Sequence, residues 1–269
     1  MLSVITFKYS KPGYRTTYES RHVNALRDMV AKHYPKPHRF FCVTDDRTGL
    51  ASGIEYVPMW RDHFHLVNPS HPTSRPNCYP RLKLFAPEMR DLFGERFVSL
   101  DLDIAIVGNL EPLWDRPEDF IIYDARGDDH YNGSMFIQNA GCRAQVWRNF
   151  DPVQSPKVTT AAGMRGSDQA WIRYCLSPSA ATWTNADGVH AYLHFCPARK
   201  DRPRRRMTAT HVIRRGNPHK IKAPPPRYPM DGSLPPGARM VIFAGEYKPW
   251  EPRTQQMSPW LKQHYPFVG

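Results

Sequence analysis

Short apolar runs alternate with polar breaks through the first half of the chain. Val4 to Phe7 reads as a buried strand, closed by a Lys/Ser/Pro/Gly loop. From about Glu19 to His33, Val23, Leu26, Met29 and Val30 recur at helical spacing. Arg39 to Thr44 (RFFCVT) and Ile54 to Val57 read as the next two strands. Strand, helix, strand, strand at these intervals predicts a βαβ start and a largely parallel sheet. Residues 66–79 are a polar loop; Tyr79 to Phe93 is expected as one helix with Leu82, Phe85, Met89 and Leu92 turned inward, Pro87 disturbing it locally and Gly94 ending it. Arg96 to Leu100, Ile104 to Val107, Ile121 to Tyr123 and Ser134 to Gln138 read as strands. Ala144 to Phe150 and Asp168 to Leu176 read as helices. Beyond Ser177 the pattern weakens until a short strand at Val241 to Phe243.

The length of 269 residues suits one large α/β domain with its own core. The 27 prolines make part of it irregular, since proline fits poorly inside helices and central strands. Nine of them fall in residues 197–237, where a basic insertion or loop is expected. The domain proper is expected at 1–196 and 238–250, with a C-terminal tail at 251–269. Five cysteines without a CxxC or a short Cys/His cluster argue against a disulfide framework or a zinc ribbon and for reduced thiols in a cytoplasm. The beginning of the chain lacks the pattern of a signal peptide, and no run is long and apolar enough to cross a membrane.

Chemistry concentrates in FVSLDLDIAIVGNLEPLWD, residues 97–115. An apolar strand leaves the core and presents Asp101 and Asp103. Carboxylates at the carboxyl end of a strand face the ligand crevice of an α/β sheet. Two such groups repel unless a cation neutralises them, and Mg²⁺ or Mn²⁺ can bridge carboxylates to a diphosphate.

Together with the preceding Tyr79-Pro80-Arg81-Leu82-Lys83-Leu84, this run resembles the glycogenin-like and bacterial lipopolysaccharide galactosyltransferase group of GT-A glycosyltransferases. Three later segments resemble the family in order: Tyr131-Asn132-Gly133-Ser134-Met135-Phe136-Ile137, Ser167-Asp168-Gln169, and Phe243-Ala244-Gly245-Glu246-Tyr247-Lys248-Pro249-Trp250. The resemblance implies an α/β GT-A fold, a Rossmann-like, mixed but mostly parallel sheet flanked by helices. It also implies a retaining hexosyl- or pentosyltransferase that uses a nucleotide-sugar, a UDP-sugar in the first instance, with Mn²⁺ or Mg²⁺.

The resemblance also implies site residues. Asp101 and Asp103 would hold the metal, and Asp101 would also touch the donor. Arg81, Asn132 and Gly133 would bind the donor sugar or diphosphate, as would Gly245 and Lys248. Asp168 would bind a donor-sugar hydroxyl, and Gln169 would lie near the anomeric carbon, the two forming the catalytic pair. Thr6, Phe7 and Tyr9 are candidates for the base, with Lys8 near the place of a usual acidic residue. Trp250 is expected as a packing anchor. A histidine that normally completes the metal site is missing; Ile242, Phe243 and Ala244 stand there, leaving His190, His194 and His211 as substitutes.

The net charge is +12, and residues 199–222 account for +9 of it. Arg202, Arg204, Arg205, Arg206, Arg214 and Arg215 form the bulk of this run. Such a segment attracts polyanions in a salt-dependent way. The acceptor could then be an anionic bacterial glycan, a lipid-linked sugar or a modified base in DNA. The alternative reading is a catalytically inactive transferase fold that binds nucleic acid through this segment.

Overall fold

The structure, a computed structural model, describes residues 1–9, 16–67, 77–126, 131–164, 166–199 and 228–266. Its centre is a seven-stranded sheet in the order β3-β2-β1-β4-β7-β6-β8. These strands are β1 (Leu2–Lys8), β2 (His38–Thr44), β3 (Ile54–Pro58), β4 (Arg96–Leu100), β6 (Phe120–Asp124), β7 (Tyr131–Asn139) and β8 (Ala181–Trp183). β1 pairs in parallel with β2 and β4, β2 with β3, and β6 with β8; only β7 runs antiparallel to its neighbours. The sheet is therefore mixed and mostly parallel. Both its faces are covered, which is why β1 and β6 are buried along nearly their whole length rather than on alternate residues. Val4 and Cys42 pack on one face, Ile5 and Val43 on the other.

A second, three-stranded sheet has the order β5-β10-β9, with β5 (Ile104–Ile106), β9 (Val189–Ala191) and β10 (Met240–Ile242). It brings residues 104 and 242 into register and so carries the chain after Asp103 to the 243–250 segment. Helix α1 (Ser20–His33) buries Val23, Leu26, Met29 and Val30 as its periodicity predicts. Its entry is held by the Glu19 N–H, which donates to His22 Nδ1 at 2.8 Å.

The single helix expected over Tyr79–Phe93 is not formed. A 3₁₀ helix spans Tyr79–Phe85, a turn follows, and α2 covers only Met89–Phe93. Pro80 and Pro87 remove backbone donors that an α-helix needs, so the stretch winds tightly and then breaks. Leu92, expected inward, is 38% exposed, because the restart after Pro87 rotates the face of α2. The tighter winding keeps Tyr79, Leu82, Leu84 and Phe85 in the core and buries Arg81 among them.

Short helices α3 (Glu111–Trp114) and α4 (Gln145–Arg148) follow β5 and β7, and α5 (Gln154–Ala161) packs beside α6 (Asp168–Leu176). Residues after 250, expected as a tail, form α7 (Pro252–Met257) and α8 (Leu261–His264); Leu261 and Tyr265 are buried in the core. Trp250 packs between His22, Tyr18 and Tyr265. Of the expected basic insertion, residues 197–199 and 228–237 are described, and Tyr228 packs against the core. Arg202, Arg204, Arg205, Arg206, Arg214, Arg215 and His211 lie outside the described residues. Among the described residues no helix is long and apolar enough to cross a membrane.

Candidate active site

β1 leads through α1 to β2 on one side, while β4 adds on the other, so the strand order reverses between β1 and β4. Crevices beyond the carboxyl ends of strands at such a reversal are where open α/β sheets bind ligands. Asp101 follows the last residue of β4 directly, and its N–H donates to the Ser134 carbonyl of β7 at 2.9 Å. Leu102 is buried and anchors the turn. The Phe243 N–H then donates to the Asp103 carbonyl at 2.9 Å, fixing Asp103 to the end of β10.

Five charged side chains meet here. The buried Arg81 guanidinium pairs with Asp101, lies 3.4 Å from Asp168 Oδ2 and donates to the Gly133 carbonyl. The buried Lys248 ammonium donates to Asp103 and lies 3.5 Å from the Phe243 carbonyl. Three carboxylates face two cations, leaving the cluster one negative charge in excess. Tyr18, half-buried, stands close to Asp103, and the Lys248 ammonium sits 5.9 Å from its ring centre. Arg81 lies 6.0 Å from the Phe7 ring centre.

Burial opposes the charge on Arg81, but Asp101 and Asp168 outweigh it and hold the guanidinium above its ordinary range. Asp101 is raised, first by the protein crowded around it and then by Asp103 and Asp168, against the pull of Arg81. Its side chain keeps 26% of its surface open, so solvent screens part of that effect. Burial likewise raises Asp168, with Arg81, the Gln169 N–H and Ser167 opposing. Burial raises the Tyr18 phenol too, assisted by the charges of Asp103 and Asp101.

Gly133 is required by space. A Cβ there would stand 2.8 Å from Asp168 Oδ2 and 2.9 Å from Arg81 Nη1. Gly245 is required by conformation, its φ being +101°. Asn132 accepts the Ser134 N–H at 2.8 Å beside this cluster. Asp168 opens α6 and Gln169 follows it, half-buried against Gly166. Thr6 is wholly buried and its hydroxyl donates to the Leu100 carbonyl at 2.9 Å, so its side chain ties β1 to β4 rather than facing the crevice. Phe7 packs edge-on against Trp60, and Tyr9 donates its hydroxyl to the Asn77 carbonyl at 2.6 Å. Sequence reasoning missed Tyr18, which lies outside every recognised motif and reaches Asp103 only through the packing of α1.

The residues present fit a hard divalent cation in one way. Among the described residues no cluster of three His, Cys, Asp or Glu could hold a metal ion. His190 is buried in the small sheet against Tyr228 with His194 nearby, and neither joins the two carboxylates in such a cluster. Mg²⁺-type sites commonly use one or two carboxylates and take their other ligands from phosphates and water. Asp101 and Asp103 meet that minimum, provided that Asp103 exchanges Lys248 for the ion. A separate surface cleft of about 460 Å³ opens at the other end of the sheet, beside Leu2, Arg96 and Trp114. It lies at the amino ends of β1 and β4, away from the buried charges.

No family model matches the sequence, and no curated protein matches it. Solved structures do. A galactosyltransferase, LgtC, in complex with donor and acceptor sugar analogs superposes with a TM-score of 0.56 at 12% identity, over 99% of this chain and 97% of that one. The glycosyltransferase GlyE of Streptococcus pneumoniae TIGR4 gives 0.52 at 10% identity, over 94% of this chain and 57% of that one. The bifunctional glycosyltransferase WbbM gives 0.52 at 12% identity, over 97% and 50%. The chain has the GT-A glycosyltransferase fold.

Proposed function

We propose that this protein is a retaining glycosyltransferase that moves a sugar from a nucleoside-diphosphate donor to a hydroxyl acceptor. The observation that carries the reading is the buried cluster of Arg81, Asp101, Asp103, Asp168 and Lys248 at the reversal of the sheet. Buried charges are costly, and a fold retains them where they serve chemistry or specificity. Arg81, Asp168 and the narrow space at Gly133 orient the donor sugar. Lys248, released from Asp103, neutralises charge that develops on the departing diphosphate, an electrostatic contribution fixed in place before reaction. Asp101 and Asp103 would hold Mn²⁺ or Mg²⁺, which supplies further charge neutralisation at the diphosphate when bound.

Retaining hydrolases use a carboxylate nucleophile. Asp168 is engaged by Arg81 and Ser167, and the amide of Gln169 is a poor nucleophile. Attack by the acceptor on the face that the diphosphate leaves accounts for retention without either. The acceptor proton then passes to the departing diphosphate oxygen. The charge of residues 199–222 supports a polyanionic acceptor.

A panel of nucleotide-sugars with Mn²⁺, read by mass spectrometry for donor hydrolysis and transfer, tests the reading. Turnover of one donor with retained anomeric configuration is expected. An inverted product removes the proposed mechanism, and neither binding nor turnover of any donor removes the function. Repeating transfer to an anionic glycan and to DNA across a salt series separates the two polyanions.

A further inference from the structure

Arg81 and Asp168 come to the charged cluster on two separate segments, the 3₁₀ helix Tyr79–Phe85 and the start of α6. Ser167 stands at the join. It is the N-cap residue of α6, where a serine hydroxyl ordinarily accepts an N–H of its own helix and stabilises it. Ser167 makes no such bond. Its backbone, φ −96° and ψ −93°, departs from the extended conformation that turns an N-cap side chain onto its own helix. The hydroxyl goes elsewhere. It accepts the Cys78 N–H at 2.9 Å, from a residue 89 positions away, and donates to Asp168 Oδ1 at the longer distance of 3.3 Å. The direction of the second bond follows from the chemistry, because an ionised carboxylate can only accept.

Cys78 is the N-cap of the 3₁₀ helix, and its carbonyl accepts the Arg81 N–H at 3.0 Å. One buried hydroxyl therefore bridges the segment that carries Arg81 and the carboxylate that faces it. It also sets the roll of that carboxylate. With Oδ1 held by Ser167, Asp168 Oδ2 turns to the other side, 3.4 Å from Arg81 Nη1 and 2.8 Å from the place a Cβ on Gly133 would take. Oδ2 is buried and accepts no hydrogen bond among the described residues. A cap given up at a helix start and a buried oxygen left to accept are both unfavourable for folding, and such local concessions belong to functional sites.

We infer that Ser167 is a positioning residue for the donor sugar. Its hydroxyl locks the Arg81 segment to α6 and aims Asp168 Oδ2 into the space over Gly133, where it accepts a sugar hydroxyl. Ser167 acts through Asp168 rather than by touching the sugar itself. This role rests on the transferase reading above, and it concerns the sugar half of the donor rather than the diphosphate.

Calorimetric titration of the whole chain with Mn²⁺ tests it. The ligands are UDP, UDP-glucose and UDP-galactose, and the proteins are wild type, Ser167→Ala and Ser167→Cys. Alanine removes both bonds. Cysteine keeps nearly the same volume with only weak hydrogen bonding, and it carries the reading should the alanine variant not fold. In each variant the affinity for the better UDP-sugar, taken relative to UDP, should fall about fivefold, the scale of one hydrogen bond. Affinity for UDP itself should be unchanged within error. The thermal midpoint should fall slightly, because the Cys78 N–H loses its partner.

An unchanged ratio of UDP-sugar to UDP affinity overturns the inference. So does an equal loss for UDP and UDP-sugar, or a failure of both variants to fold, either of which would make Ser167 a purely structural residue. A wild type that binds UDP but neither sugar donor removes the positioning role and leaves the diphosphate site standing. A wild type that binds none of the three ligands removes the transferase reading itself, and this inference with it.

Discussion

At the amino end of the large sheet, charges sit in water. Lys36 pairs with Asp115 at 2.8 Å and with Glu111 at 3.5 Å while half its side chain is exposed, and Arg96 spends its donors on the Glu118 and Arg116 carbonyls and Asn139. At the carboxyl end, Arg81, Asp103, Asp168 and Lys248 are all buried. The two ends use the same residue types for different purposes. Exposed pairs contribute little to stability and can be replaced freely. A buried cluster is costly to assemble and rigid once assembled, which suits the proposed role of positioning a donor.

The largest effect is expected from removing the acids. The double variant Asp101→Asn/Asp103→Asn should lower kcat/KM for the donor by about 10³-fold or more, the scale of lost electrostatic stabilisation. Full activity in a steady-state assay would remove both residues from the mechanism. Arg81→Met should come next, because Asp101 and Asp168 would be left without their shared partner. Breaking a buried pair in this way costs about 3–5 kcal/mol, readable as a fall in the urea midpoint. Gly133→Ala would push a methyl group into Asp168 and Arg81 and should reduce kcat/KM by about 10²-fold through misplacement. Activity within a factor of two of wild type would show that the cluster tolerates movement.

A third region buries titratable groups away from both ends of the large sheet. His190 lies in the small sheet against Tyr228, and among the described residues neither ring nitrogen has a hydrogen-bond partner. Burial, with a smaller contribution from His194, pushes its pKa down to about 4. His22 also falls to about 4, through burial and then Arg21, even though its Nδ1 accepts the Glu19 N–H. A histidine with a depressed folded pKa contributes its full stability above the unfolded value near 6.5. As pH falls from there toward 4 the unfolded state takes up the proton first, and stability declines by on the order of 3 kcal/mol per group. Urea midpoints should therefore drop between pH 7 and pH 4.5, and His190→Leu should make that slope shallower. A slope unchanged by His190→Leu would refute the assignment. The smallest effect is expected at the exposed end, where Lys36→Met should leave both the thermal midpoint and activity unaltered within error.

Much of this arrangement was readable along the chain. The apolar run into Asp101, the helical stripe of α1 and the ordered motifs around Arg81, Gly133, Asp168 and Lys248 are local patterns, and local patterns survive in a linear string. The motifs also named most of the cluster, because a ligand crevice draws its residues from strand ends and helix starts. Tyr18 escaped because nothing beside it in sequence marks it, and only the packing of α1 carries it to Asp103. The 3₁₀ winding of Tyr79–Phe85 was masked by an apolar spacing that suits an α-helix, and two prolines decided otherwise. The small sheet escaped because its three-residue strands come from three distant segments and carry too few residues to show a period.

Fold class and the identity of the charged residues are legible in the chain alone, since periodicity and motif order need no partner to be seen. Which charges are paired is set by the folded arrangement. It joined Lys248 to Asp103 across 145 positions and Arg81 to Asp101 and Asp168. The reason is physical: pairing and burial depend on distances through space, which strand order and helix packing set.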